Sequence, residues 1–202
     1  AVHHSGTSII PSIGVYMLTI LIGLLIHLFI LLPLIFYFFT SISPIKHYKA
    51  MSKAMLMAFS TSSSSATLPV TMKCVNENVK ASKEVTSFVL PMGATINMDG
   101  TALYECAGVI FIAQVLGVDL TLTEQLIVVF TALLASIGAA GIPSAGLVMI
   151  FIVLQSVGLS EKVGVDIIVG AMLAVDRPLD MLRTMVNVTS DSIGAAIIGK
   201  SE

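Results

Sequence analysis

"LIVVFTALLASIGAAGIPSAGLVMIFIVLQSVGL", residues 126–159, runs for 34 residues without a charge. As one helix, at roughly 1.5 Å per residue, it would be about 50 Å long. That is too long for a single crossing of a hydrocarbon core of about 30 Å. Its centre, "ASIGAAGIPSAG" (135–146), carries Gly138, Gly141, Pro143 and Gly146, residues that break helices. The stretch reads as two half-helices folded back on each other. Asp119, Glu124, Glu161 and Lys162 bound it without a basic cluster, which assigns its entry to the outer side.

A second hairpin is expected upstream. "FSTSSSSATLPVTMK" (59–73) is short and rich in small hydroxyls. Lys46, Lys49 and Lys53 precede it, and Lys73, Lys80 and Lys83 follow it, six of the ten basic residues. Both flanks are then cytoplasmic, and a segment that enters and leaves on one side is re-entrant, with its serines at the tip. Ile13–Phe39 is the one clean span, with no Asp, Glu, Lys or Arg and more than the roughly 20 residues a crossing needs. Pro33 is a kink candidate in it, and His27 reads as a packed or interface residue. The order of hairpin then interrupted helix recurs from the opposite face, an inverted repeat. Paired Gly/Pro-interrupted segments of this kind point to a transporter site near the midplane.

Composition agrees. Of 202 residues, 56% are hydrophobic and 11% charged, against roughly 25% charged in soluble domains, and the mean hydropathy is +0.99. This is the profile of a membrane protein, which with the segments above is expected to be all-α and multi-pass in the cell membrane, and no nucleic-acid partner is expected. Cys74 and Cys106 are too isolated for a metal site or a disulfide framework and read as inert thiols. The chain starts at Ala1 without a leader pattern, so it is expected to begin inside a larger protein or to have lost its beginning.

Two groups of polar residues lie in apolar surroundings. "GATINMDGTALYE" (93–105) puts Asn97 and Asp99 between two apolar runs. A carboxylate there needs a cation, a proton, or pairing to Arg or to backbone N–H groups, and Gly93, Gly100 and "NMDG" favour local unwinding. In "VDRPLDMLRTMVNVTSDSIGAAIIGK" (175–200), Asp176, Asp180, Arg183, Thr184, Asn187 and Asp191 fall within about 100° of arc on a helix. Arg suits a bidentate grip on a carboxylate, and Asp180 suits an ammonium. Together they fit a zwitterion with an extra carboxylate, such as aspartate or glutamate. Asp99, Asp191, Asn97 and Asn187 are hard oxygen donors suited to sodium.

"SSSSATLPVTM" (62–72), "LPMGATINMDGTALY" (90–104), "ASIGAAGIPSAG" and "DMLRTMVNVTSD" (180–191), in this order, resemble the dicarboxylate/amino acid:cation symporter family of excitatory amino acid transporters and prokaryotic aspartate and glutamate transporters. The resemblance covers the chain from about residue 10 onward. It implies a transport domain over 1–202, made of a transmembrane helix (13–39), hairpin 1 (45–74), an interrupted helix (79–117), hairpin 2 (122–159) and an amphipathic transmembrane helix (162–199). It also implies a trimeric N-terminal scaffold, expected to be absent from this chain. Ser63 and Ser64 would bind the substrate α-carboxylate. Thr101 and Arg183 would hold the side-chain carboxylate, and Asp180 the ammonium. Thr184 and Asn187 would complete the pocket, with Ile142 and Gly146 closing over it. One sodium would sit among Gly93, Asn97, Asn187 and Asp191. A second would lie near Thr95, Ser136, Ile137 and Ala139, and a third at Asn97 and Asp99. The chain departs from the pattern at Ser62, where some archaeal members carry Arg, and at Met181, where animal members do. Potassium countertransport and the ranking of aspartate against glutamate are therefore not carried over.

The expected function is sodium-coupled symport of an acidic amino acid, with sodium ions co-transported and no enzymatic chemistry. A proton-coupled glutamate or C4-dicarboxylate carrier is the alternative within the class, and an ion channel the alternative outside it. An intramembrane aspartyl protease fits poorly, because Arg183 stands beside Asp180.

Overall fold

The computed structural model describes residues 5–200, and among them every regular element is helical. Pro11–Thr40 is the one helix among the described residues long and apolar enough to cross a membrane. It comprises α1 (Ser5–Ile26), a π-helical turn (His27–Leu31) and α2 (Leu32–Thr40). Pro33 explains the turn. It has no N–H for the carbonyl four residues back, and its ring crowds that carbonyl. The ladder widens instead, and Leu32 N–H donates to the His27 carbonyl, the i→i−5 pattern of a π bulge. The outward face of this helix is apolar, with Leu18, Phe29 and Leu34 exposed and Phe38 80% exposed. So large an apolar face marks contact with lipid or protein.

Two helix pairs follow the same plan. α3 (Pro44–Thr61) ends at Ser62, which turns left-handed at φ 53°. Ser63 then caps α4 (Ser64–Cys74) by accepting from Ala66 N–H at 3.1 Å, so the turn takes two residues. α4 continues into a π-helical turn (Val75–Val79) that stops at left-handed Lys80. The second pair is α7 (Leu122–Gly138) and α8 (Ala145–Ser156). Thr121 and Glu124 form a reciprocal capping box at the start of α7. Removing the hydroxyl with Thr121→Ala is expected to lower the stability of the full-length protein by about 1 kcal/mol, read by denaturant or thermal unfolding, without altering ligand affinity.

Between the pairs lie α5 (Lys83–Ile96) and α6 (Asp99–Val115), separated where Asn97 and Met98 leave helical geometry. The helix expected from residue 79 begins instead at Lys83, because Lys80 turns left-handed and Ser82 supplies the N-cap at 3.2 Å from Val85 N. α9 (Val165–Lys200) takes in the expected final helix from Val165 onward. It is the central element, packed against α1 to α6 and α8. One apolar core, with Leu24, Ile112, Ile150, Leu154 and Met172, joins α1, α6, α8 and α9. A smaller one, with Met51, Val75, Leu90 and Val188, joins α3, α4, α5 and α9. The buried face of α9 is therefore far wider than its polar stripe.

Candidate substrate and cation site

Three interruptions of the chain converge on that stripe: the α3–α4 turn, the α5–α6 break and the α7–α8 tip. Their backbones lock together. Ser63 Oγ donates to the Gly141 carbonyl at 2.6 Å, and Ser65 N–H donates to the same oxygen at 3.3 Å. Glycine is needed at 141, since a Cβ there would lie 2.6 Å from Ser65 Oγ and 2.9 Å from the Ala94 carbonyl. The cavity left between the tips measures about 10 Å³, room for roughly one water.

Ser64, Thr101, Ile142, Gly146, Asp180, Arg183, Thr184 and Asn187 all line that cavity. Ser63 does not. Its oxygen is committed to the α4 cap and to Gly141, so it ties the two tips together. Arg183 is 2% exposed. It donates through Nη2 to Asp180 Oδ1, lies 3.9 Å through Nη1 from Asp176 Oδ1, and places Cζ 4.1 Å from the centroid of the Tyr104 ring. A buried guanidinium with two carboxylates and an aromatic face is compensated. Asp180 also takes Ser144 N–H on Oδ2 at 2.9 Å. The tip of the second pair thus holds the carboxylate that an ammonium would need.

The stripe continues toward the helix break. Asn187 Nδ2 donates to Thr101 Oγ1 at 3.1 Å, and its Oδ1 accepts Gly100 N–H at 2.8 Å. Farther along α9, Asn97 Nδ2 donates to Asp191 Oδ1 at 2.9 Å and approaches Ser190 Oγ at 3.0 Å. Gly93 closes this group. A Cβ on it would lie 2.5 Å from Asp191 Oδ1. Gly93, Asn97 and Asp191 therefore sit together, with Asn187 bonded instead to the start of α6. Thr95 is exposed and bonds its own helix at Met92 O, and Ser136 bonds its own helix at Leu133 O. Ala139 is buried and Ile137 exposed; the expected ligands at these four positions are backbone oxygens, not side chains. Among the described residues no three of His, Cys, Asp and Glu gather as for a transition metal. An alkali cation asks for amide, carboxylate and carbonyl oxygens instead.

Asp99 has a partner the sequence did not reveal. His27 Nε2 lies 2.6 Å from its Oδ2, and its Oδ1 accepts Gly100 N–H at 3.0 Å. The π-helical turn that begins at His27 brings the imidazole there. Four further residues escaped the sequence reading as site members: Tyr16, Tyr104, Glu105 and Asp176. Both Glu105 oxygens are buried with no hydrogen-bond partner among the described residues, and the Tyr16 and Tyr104 rings lie 6.4 Å apart. Tyr104 stands one helical turn after Thr101 on α6, a spacing that could have flagged it. Asp176 was seen on the stripe but given no role.

Buried ion pairs and oxygen donors at helix breaks, in a chain whose regular elements among the described residues are all helices, are the features expected of a membrane carrier. The sodium:dicarboxylate symporter family matches residues 1–201, and the chain belongs to that family. It is 54% identical over 187 residues to Excitatory amino acid transporter 1 of Ambystoma tigrinum, covering 93% of this chain and 34% of that protein. To Excitatory amino acid transporter 3 of Homo sapiens it is 48% identical over 192 residues, covering 95% of this chain and 36% of that protein. To Excitatory amino acid transporter 2 of Homo sapiens the identity is 50% over 187 residues. The chain spans about a third of the length of these relatives.

Proposed function

We propose that this chain is the mobile transport domain of a sodium-coupled symporter for acidic amino acids in the cell membrane. In this reading α3–α4 and α7–α8 are re-entrant hairpins entering from opposite faces, the lysine-rich end is cytoplasmic, and the two halves form an inverted repeat. Their helices suit such a role: even the 18 residues of α3 reach only about 27 Å, short of the hydrocarbon core. Trimerisation through a scaffold outside this chain belongs to the same proposal.

The observation that carries the reading is the buried Asp180–Arg183 pair, enclosed by both hairpin tips. Arg183 turns its fork to the substrate side-chain carboxylate, assisted by Thr101. Asp180 exchanges Ser144 N–H for the substrate ammonium. Ser64 and the backbone of the first tip take the α-carboxylate, with Thr184 and Asn187 filling the remaining wall. Because the cavity holds about one water, substrate enters only when the α7–α8 tip lifts away from Ser63 and Asp180. Sodium at Gly93, Asn97 and Asp191 fixes the Asn97–Met98 break, and with it the start of α6, whose first turn carries Thr101. A further sodium on carbonyls near Thr95 and Ser136–Ala139 would hold the second tip shut. Substrate and sodium thereby share one conformational equilibrium, which makes their binding cooperative.

Proton coupling is the second reading. The buried Glu105, with neither oxygen partnered among the described residues, favours it, since such a carboxyl is stable only with a proton or cation. Proteoliposomes carrying the full-length protein separate the two. L-Aspartate uptake is expected with an inward sodium gradient and not with a proton gradient alone. Uptake driven by protons without sodium would overturn the sodium assignment and leave the substrate pocket standing.

A further inference from the structure

A second cavity, about 380 Å³, opens at the lysine-rich end, away from the carrier site. We propose that it binds the phosphate head group of an anionic phospholipid. Three lysines line it, from parts of the chain far apart in sequence: Lys46 in the first turn of α3, Lys80 at the end of the π-helical turn and Lys200 at the end of α9. Neither Asp nor Glu lines it. The floor is neutral. Ser192 Oγ donates to the Thr189 carbonyl at 2.7 Å, so the His47 Nε2 at 2.9 Å from it is a donor, which needs no charge on the ring. Three ammonium groups around one hollow repel each other, and an anion removes that repulsion.

Lys80 ends the π-helical turn at φ 66°, which places its backbone beside the cavity. Lys200 Nζ donates to the Thr40 carbonyl at the end of α2, which pins the third lysine to the cavity wall. The walls are amphiphilic, with Phe36, Ile42 and Val79 beside the lysines. A second groove of about 500 Å³ is lined by Leu34, Tyr37, Phe38, Phe39 and Ser41, the last next in the chain to Ile42 of the cavity, and its apolar walls suit an acyl chain. A free phosphate would use the lysines alone, whereas a phospholipid uses both. Basic pockets at the cytoplasmic ends of transmembrane helices are suited to anionic head groups. Only the leaflet assignment rests on the orientation proposed above.

The test uses the purified full-length protein in detergent. Thermal unfolding is followed during titration with dioctanoyl phosphatidylglycerol, dioctanoyl phosphatidylcholine or inorganic phosphate. Phosphatidylglycerol alone is expected to stabilise the protein. With each lysine contributing a comparable share, Lys46→Gln, Lys80→Gln and Lys200→Gln should each raise its half-saturating concentration about fivefold, and the triple variant about a hundredfold. Lys46→Arg is expected to bind like the parent. The shift caused by L-aspartate with sodium, read in the same samples, should not change, which separates this site from the carrier pocket. Equal phosphatidylglycerol response in the parent and the single variants would overturn the proposal. So would equal stabilisation by inorganic phosphate, which would make the cavity a free-anion site.

Discussion

Arg183→Cys is expected to abolish L-aspartate binding to the full-length transporter while its response to sodium survives. The guanidinium is the only basic group lining the cavity between the hairpin tips. A bidentate, charge-assisted grip lost in a dry site costs about 3 kcal/mol, at least a hundredfold in affinity. The variant also leaves Asp176 and Asp180 without their cation, so its unfolding midpoint should fall. Asp180 is then free to hold Ser144 alone, and nothing remains to recognise the second carboxylate. The sodium group should stand, because Asp191 lies eight residues further along α9, about 12 Å away along the axis. Calorimetric titration with L-aspartate, beside sodium-dependent thermal stabilisation, reads both properties. Unchanged aspartate affinity would sink the pocket assignment.

What the sequence could and could not convey divides along range. The α7–α8 tip was legible because Gly138, Gly141, Pro143 and Gly146 interrupt an uncharged run, a purely local signal. The stripe on α9 was legible because helical periodicity lines up Asp176, Asp180, Arg183, Thr184, Asn187 and Asp191. The contact of His27 with Asp99 was not, since the two are 72 residues apart and the π-helical turn that aims the imidazole follows from Pro33 only once the chain has chosen to stay helical. Tyr16 reaches the Arg183 environment from α1 through packing that no spacing encodes. Glu105 was not legible for a related reason: nothing in its local spacing says that packing buries it completely. Ser63 does stand at the tip, but its oxygen serves the cap and the Gly141 carbonyl, a choice set by how two distant turns meet.

The converse experiment acts on sodium. Gly93→Ala is expected to raise the sodium concentration for half-maximal L-aspartate uptake at least tenfold. In a helix interior alanine is ordinarily better than glycine by about 1 kcal/mol, so the variant gains local propensity and any loss must come from contact. The new methyl would meet Asp191 Oδ1 at 2.5 Å and Cγ at 2.8 Å. Asp191 is 4% exposed and bonded to Asn97, so its short side chain moves only by breaking that bond. Overpacking of this kind costs about 1–3 kcal/mol, enough for the tenfold loss. Gly170→Ala on the same α9 is the control, because its Cβ would have no neighbour within 4 Å. It should leave sodium dependence at the parent value. With Gly93→Ala impaired toward sodium and Arg183→Cys impaired toward aspartate, the two variants assign the coupling ion and the substrate to different turns of one polar stripe. A Gly93→Ala protein with parental sodium dependence would remove Asp191 and Asn97 from the ion site.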